Sequence, residues 1–328
     1  MENKNKQKLE ILTPGEILDS LIPALKGRTE KPDLPTGITP LDRHIWGLRR
    51  KSVLIIGGRP AEGKSSLAGQ IAWNLADIGK KVVYLSLEMS KEEIMERFIC
   101  SFCDIDSEDI RRGKLPDDFD TKIKVFTSII DRMNLRIIDG YGKEISQVHD
   151  LFEQFPVKPD ACFIDHIQRI GSADYKERRD AITNYINDCE GLAIKHNVAM
   201  VICSQLNREP TRRKDSTPSL EDLKESGSLE ETAGCVLLNH WPKKDAPISD
   251  PQKQDFEVII AKQRAGASGV HIPLQYDAPF YKFRWTESSA TKWDQANGDA
   301  PAVSVETMVP QTPQEQAVKE TFRKDVDG

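Results

Sequence analysis

Val53-Leu-Ile-Ile-Gly-Gly-Arg-Pro-Ala-Glu-Gly-Lys-Ser65 sets the fold of this chain. An apolar run of strand length closes on Gly58, a second glycine follows at Gly63, and Leu67, Ala68, Ile71 and Leu75 then recur at helical spacing. Strand, glycine loop and helix in that order form a phosphate-binding loop. Glycines let the backbone wrap a phosphate, and the loop N–H groups and the helix N-terminus attract its charge. Lys64 reaches the terminal phosphates and Ser65 ligates magnesium. The nucleotide-binding set is therefore Gly58, Arg59, Gly63, Lys64, Ser65 and Ser66, and ATP with Mg2+ is the expected ligand pair.

Working outward, apolar runs at 53–56, 82–87, 135–138, 161–164 and 198–203 alternate with helical patterns. Such alternation predicts a parallel sheet covered by helices. After residue 234 the texture changes to short strands, Val236–Asn239, Phe256–Ala261, Val270–Gln275 and Tyr281–Trp285, separated by Gly and Pro turns. These predict antiparallel strands added at one sheet edge. The expected class is α/β, mostly parallel, over residues 36–286.

Residues 1–35 read as a polar lead and one amphipathic helix. Thr13-Pro14-Gly15-Glu16 has the shape of a capping box, and Ile17, Leu18, Leu21, Ile22 and Leu25 form an apolar stripe ending before Gly27. A helix this short is marginal alone and must dock, either on its own domain or on a neighbouring subunit. Lys31-Pro-Asp-Leu-Pro-Thr36 reads as a linker, and 287–328, polar and acidic, as a mostly disordered tail.

Bulk properties exclude other classes. The chain has 328 residues, 38% hydrophobic, 30% charged, with a net charge of -6, so any nucleic-acid surface must be local. No apolar run approaches the ~20 residues that span a bilayer, and no signal-peptide core follows the N-terminus, which predicts a cytoplasmic protein without a membrane partner. The six cysteines sit mostly in apolar segments and imply no disulfide framework. Cys100-Ser-Phe-Cys103 has knuckle spacing but no second pair, so it is assigned to helix packing and no zinc is expected.

Hydrolysis needs a carboxylate for the metal, a group that activates water and a sensor of the terminal phosphate. Ala161-Cys-Phe-Ile-Asp165 places Asp165 at a strand tip as a magnesium ligand alongside Ser65. Val82-Val-Tyr-Leu-Ser-Leu-Glu88 offers Glu88 as the catalytic residue, and the run ending Ser204-Gln205 offers Gln205 as phosphate sensor.

This order of loop, glutamate, aspartate and glutamine resembles the RecA-like ATPases. Thr36–Arg43, Arg59–Ser65, Ser86-Leu-Glu-Met-Ser90, Ile164-Asp-His-Ile-Gln168, Ser204-Gln-Leu-Asn-Arg208, Asp222-Leu-Lys-Glu-Ser-Gly-Ser228 and Ala261-Lys-Gln-Arg264 together resemble the DnaB-type replicative DNA helicases. The resemblance implies a six-membered homo-oligomeric ring around single-stranded DNA, moving 5′ to 3′, with ATP between subunits. It implies that Lys262 and Arg264 reach the neighbour's terminal phosphate, Arg264 as arginine finger. It gives the 16–26 helix the role of a linker helix packed on the adjacent subunit. DNA contact is expected from Arg208, Arg212, Arg213 and Lys214, the densest basic cluster, and from Lys224, Glu225 and Gly227 in the family's phosphate-gripping loop. No aromatic side chain interrupts these loops, which predicts gripping of phosphates rather than stacking of bases.

Two departures stand out. The family's helical N-terminal domain has no room here, so primase or a helicase loader as partner stays open, and a chain stripped in this way suits a phage or mobile element in a bacterial host cytoplasm. His166 and Arg169 occupy positions that the family usually fills with apolar or aromatic residues, and His166 reads as structural. The competing reading is a RecA-like ATPase of strand exchange, loading or regulation that does not unwind duplex. Small-molecule phosphotransfer is a third, disfavoured by Gln205 and the Lys-Gln-Arg motif.

Overall fold

The computed structural model describes residues 12–27, 31–140, 148, 150, 152, 154–155, 157–169, 178–207, 217–223, 227–247, 253–286, 289–290 and 293. The chain divides between Pro32 and Asp33 into two units.

In the first unit, helix α1 (Pro14–Lys26) starts as its sequence dictates. Thr13 Oγ1 accepts from the Glu16 N–H, and Glu16 Oε2 accepts from the Thr13 N–H at 2.7 Å, a closed capping box with Pro14 in the first turn. Ile17, Leu18, Leu21, Ile22 and Leu25 are all exposed.

The second unit is built on a nine-stranded sheet. Its strands are β1 (Ser52–Gly58), β2 (Val82–Ser86), β3 (Leu135–Asp139), β4 (Ala161–Asp165), β5 (Ala199–Gln205), β6 (Cys235–His240), β7 (Asp255–Gln263), β8 (Val270–Asp277) and β9 (Lys282–Arg284), and their spatial order is β3-β2-β4-β5-β1-β6-β7-β8-β9. Every pairing from β3 across to β6 is parallel, and β6 to β9 are antiparallel. The expected parallel sheet with an antiparallel edge is therefore the observed one. The last strand is shorter than its apolar run.

Burial on both faces explains the continuous apolar runs. Along β1, Leu54 and Ile56 join one core layer while Val53 and Ile55 join the other; Tyr84 and Val83, Phe163 and Ile164, and Val201 and Ile202 divide the same way. The first layer is covered by α2 (Thr39–Ile45), α3 (Lys64–Asp77), α4 (Lys91–Cys103) and α6 (Phe119–Ile130); a short α5 (Ser107–Arg111) lies between α4 and α6 in sequence. The second is covered by α7 (Arg178–His196) and α8 (Gly227–Thr232). Cys100 and Cys103 are both buried in α4. Side chains alternate along a strand, so a run buried on both sides must be apolar at every position.

The stretch read as a linker is only partly one. Leu34 and Thr36 are fully buried. The Leu34 carbonyl accepts from the Leu48 N–H at 2.7 Å, and the Thr36 carbonyl accepts from Asn74 Nδ2 at 2.9 Å. Its proline-rich composition concealed a segment that seals the end of α3. Among the described residues, no helix is long and apolar enough to cross a membrane.

Candidate functional site

The glycine loop runs from the tip of β1 into α3 and is shaped from within. Gly63 has φ +66°, where a side chain is strained, and a Cβ there would meet Phe283 Cζ at 3.0 Å. A Cβ on Gly58 would lie 2.8 Å from Lys64 Cγ, so the lysine stem crosses the strand tip where only glycine leaves room. Buried Glu62 accepts from the Arg59 N–H at 2.8 Å, and its own carbonyl accepts from Asn239 Nδ2 at 2.8 Å. Lys244 Nζ donates to the Pro60 carbonyl at 2.8 Å, and Lys64 Nζ to the Arg59 carbonyl at 3.1 Å. Burial holds the Lys64 ammonium below its ordinary pKa against the opposing pull of Cys203, Asp165, Glu62 and Glu88. Ser65 is half-buried at the helix start, whereas the Ser66 hydroxyl is turned inward, 2.8 Å from Tyr276 Oη. Ser66 thus has its backbone N–H, not its side chain, to offer a phosphate.

Sheet register brings the other candidates alongside. Gly58 pairs with Gln205 and Ser86 with Asp165, so the tips of β2, β4, β5 and β1 lie side by side. Asp165 is buried; its Oδ2 accepts from Tyr84 Oη at 2.8 Å, while Oδ1 is buried without a hydrogen bond. An orphaned carboxylate oxygen of this kind fits a magnesium ion, a hard cation that takes oxygen ligands, with the Ser65 hydroxyl as the second protein donor. Gln168, in the short turn Ile167–Arg169, accepts from the Gln205 N–H at 3.1 Å and donates to Ser204 Oγ at 2.8 Å.

Glu88 lies in the bend after β2, and it is no helix cap: Ser90 and Glu93 close their own capping box on α4. Its Oε2 is 2.9 Å from His166 Nδ1 and its Oε1 3.0 Å from Arg169 Nη2. Burial would raise its pKa, but the Arg169 hydrogen bond and the charges of His166, Arg169 and Lys64 outweigh it and hold the carboxyl below the ordinary range.

Lys262 and Arg264 sit at the opposite end of the sheet. Gln263 pairs with Cys235, which pairs with Leu54, near the start of β1. Gly58 is four residues further on, roughly 13 Å at ~3.3 Å per residue. Arg264 Nη2 donates to the Thr232 carbonyl at 2.9 Å and lies 3.6 Å from Glu190 Oε1. Lys262 Nζ donates to the carbonyl of Glu230 and, at 3.4 Å, to that of Glu231.

Of the expected DNA contacts, Arg208, Arg212, Arg213, Lys214, Lys224 and Glu225 lie outside the described residues; Gly227 opens α8. Their points of departure are fixed. Leu206 bridges Leu223, Asn207 N–H donates to the Asp222 carbonyl at 2.7 Å, and Leu206 N–H donates to the Gly58 carbonyl at 3.0 Å. Asn207 and Leu223, each the last described residue before one of these segments, are thus held together beside the glycine loop.

Residues 33–285 match the model of the DnaB-like helicase C terminal domain. The chain belongs to that family. A probable plasmid replicative DNA helicase of Chlamydia psittaci is 34% identical over 240 residues, 71% of this chain and 52% of that protein. The replicative DNA helicase DnaB of Geobacillus stearothermophilus is 31% identical over 259 residues, 76% of this chain and 56% of its own length. The chain thus spans about half the length of the curated relatives it matches. Among solved structures, the ATPase domain of G40P superposes with a TM-score of 0.75 at 27% identity, covering 84% of this chain and 99% of that one. A DnaB-like replicative helicase described with its interactions with primase gives 0.74 at 28% identity, covering 83% and 68%. The fold of this DnaB-like domain is accordingly the RecA-like one expected.

Several residues of the DnaB-like site escaped the sequence reading. Tyr84 braces Asp165, Glu62 and Asn239 shape the loop, and His166 and Arg169 hold Glu88. The available signal for the last two was their departure from the family's usual residue types directly after the aspartate.

Proposed function

We propose that this chain is the motor of a ring-shaped DNA helicase, which hydrolyses ATP at sites shared between neighbouring copies and moves 5′ to 3′ along single-stranded DNA during replication. The observation that carries this reading is the separation of Arg264 from its own phosphate loop: the two lie toward opposite ends of the sheet, which favours action of the cation on another copy's site. The backbone of Gly58 to Ser66 cradles the phosphates, with Arg59 beside them, and Lys64 contacts the terminal ones. Glu88 accepts the proton of the attacking water as the water oxygen bonds the terminal phosphorus and the ADP oxygen leaves; Gln205 senses the phosphate released. Ser65 and Asp165 would hold magnesium, which when bound would neutralise phosphate charge. Lys262 and Arg264 of the adjacent copy stabilise the charge that develops.

Family membership supports six copies per ring, with the exposed stripe of α1 docking on the neighbour. Arg208, Arg212, Arg213, Lys214, Lys224, Glu225 and Gly227 line the DNA path by the same reading, and primase or a helicase loader is the protein partner proposed for the ring in a bacterial cytoplasm. ATP-dependent opening of a fork carrying a 5′ single-stranded tail tests the proposal. DNA-stimulated ATP hydrolysis without unwinding would assign the chain instead to strand exchange, loading or regulation.

A further inference from the structure

Glu88 is in a bend, and nothing in its backbone fixes where its carboxylate points. Ordering a free glutamate side chain costs rotamer entropy. Yet each of its oxygens has a nitrogen beside it: Oε1 accepts from Arg169 Nη2 at 3.0 Å, and Oε2 lies 2.9 Å from His166 Nδ1. Both nitrogens come from the single turn that follows Asp165, and that turn is itself anchored. His166 and Ile167 are buried, the Arg169 N–H donates to the His166 carbonyl at 3.0 Å, and Gln168 between them is tied to Ser204 and Gln205.

We propose that His166 and Arg169 are positioning residues that aim the Glu88 carboxylate at the attacking water. The inference rests on the reading of Glu88 as the base. A carboxylate has about four lone-pair sites, so one hydrogen bond and one close contact leave room for a water on the remaining ones. The two holds differ in kind. His166 is buried, so its ring is fixed in place and sets direction; Arg169 is half exposed and adds a charge-assisted bond that water can compete with. Because Gln168 links the same turn to Gln205, one short segment sets both the group that activates water and the amide at the next strand tip.

Single-turnover and steady-state ATP hydrolysis by the full chain with single-stranded DNA tests this. His166→Phe keeps ring volume and removes the donor, and kcat should fall about 10- to 100-fold, as expected of a reacting group misplaced by an ångström or less. KM for ATP should stay within about threefold, because the loss is confined to the transition state. His166→Asn, whose amide can donate from nearly the same place, should recover part of the rate. Arg169→Ala, at a half-exposed site where folding is not at risk, should lower kcat, and Arg169→Lys should recover part of it. In a Glu88→Gln background neither His166→Phe nor Arg169→Ala should cost anything further, because both act through the missing carboxylate. Unchanged kcat in both single variants, or losses that multiply with that of Glu88→Gln, would overturn the proposal. Full turnover by Glu88→Gln alone would instead overturn the reading of Glu88 as base.

Discussion

Arg264 Nη2 donates to the carbonyl of Thr232, the last residue of α8, at 2.9 Å. Lys262 takes the carbonyls of Glu230 and Glu231, so two cations satisfy acceptors that the end of a helix leaves without partners. The helix they hold opens at Gly227, in the loop proposed to grip DNA, and its six residues span only about 9 Å. Arg264 thus holds one end of a small helix whose other end carries the proposed DNA loop, so the proposed reach of Arg264 to a neighbour's phosphate would remove a support from that helix.

Arg264→Ala should lower DNA-stimulated kcat by about 10³-fold, the low end for loss of an arginine finger. Nucleotide should stay bound, since the phosphate loop lies at the other end of the sheet; titration with a fluorescent ATP analogue reads this. A comparable loss of nucleotide affinity would place Arg264 in its own binding pocket.

Tyr84→Phe removes the donor that braces Asp165 Oδ2 from within the core, leaving the carboxylate proposed to hold magnesium free to rotate. Outer-sphere partners of this kind typically contribute about 10- to 100-fold in metal affinity. The magnesium concentration for half-maximal hydrolysis should rise by about that factor, with kcat at saturating magnesium little changed. An unaltered requirement would remove Tyr84 from the metal site.

The pH dependence of kcat/KM follows from the Glu88 surroundings. Burial raises its pKa, but the Arg169 hydrogen bond and the charges of His166, Arg169 and Lys64 prevail, so the carboxylate stays ionised to lower pH than an ordinary glutamate. The base must be deprotonated, so the acid limb of the profile reports this group and should lie below the ordinary carboxylate range. Removing the positive charge in Arg169→Ala should move that limb to higher pH. A limb unmoved by the substitution would show that it belongs to another group.

Lys224→Ala should weaken binding of single-stranded DNA and reduce the slope of log affinity against log salt by about 0.7, the share of one phosphate contact. Fluorescence anisotropy between low and moderate salt measures it. An unchanged slope would strike this lysine from the contacts.

Much of the fold was legible because burial on both sheet faces forces apolar residues at every position, as Val53 to Ile56 and Ala161 to Ile164 show. The phosphate loop was legible because its constraints are local: a positive φ at Gly63 and a lysine stem over Gly58. What could not be read depends on pairing over long separations. The meeting of Arg169 with Glu88 spans 81 residues, and the seat of Tyr84 against Asp165 likewise spans 81. Neither leaves a local pattern. The contact of His166 with Glu88, in the bend after β2, is equally remote in sequence. The segment 31–36 misled in the other direction: proline and aspartate suggested a linker, while Leu34 closes the core.

Sharing of the site between copies is measured most directly by mixing. Lys64→Ala cannot position ATP but keeps its arginine, and Arg264→Ala binds ATP but lacks the finger, so each alone should be inactive. Rings assembled from equal amounts of the two should regain DNA-stimulated hydrolysis where an intact loop faces an intact Arg264, at about a quarter of the wild-type rate for random assembly of independent sites. Mixed rings as inactive as either parent would mean that each chain completes its own site, and would contradict the shared one.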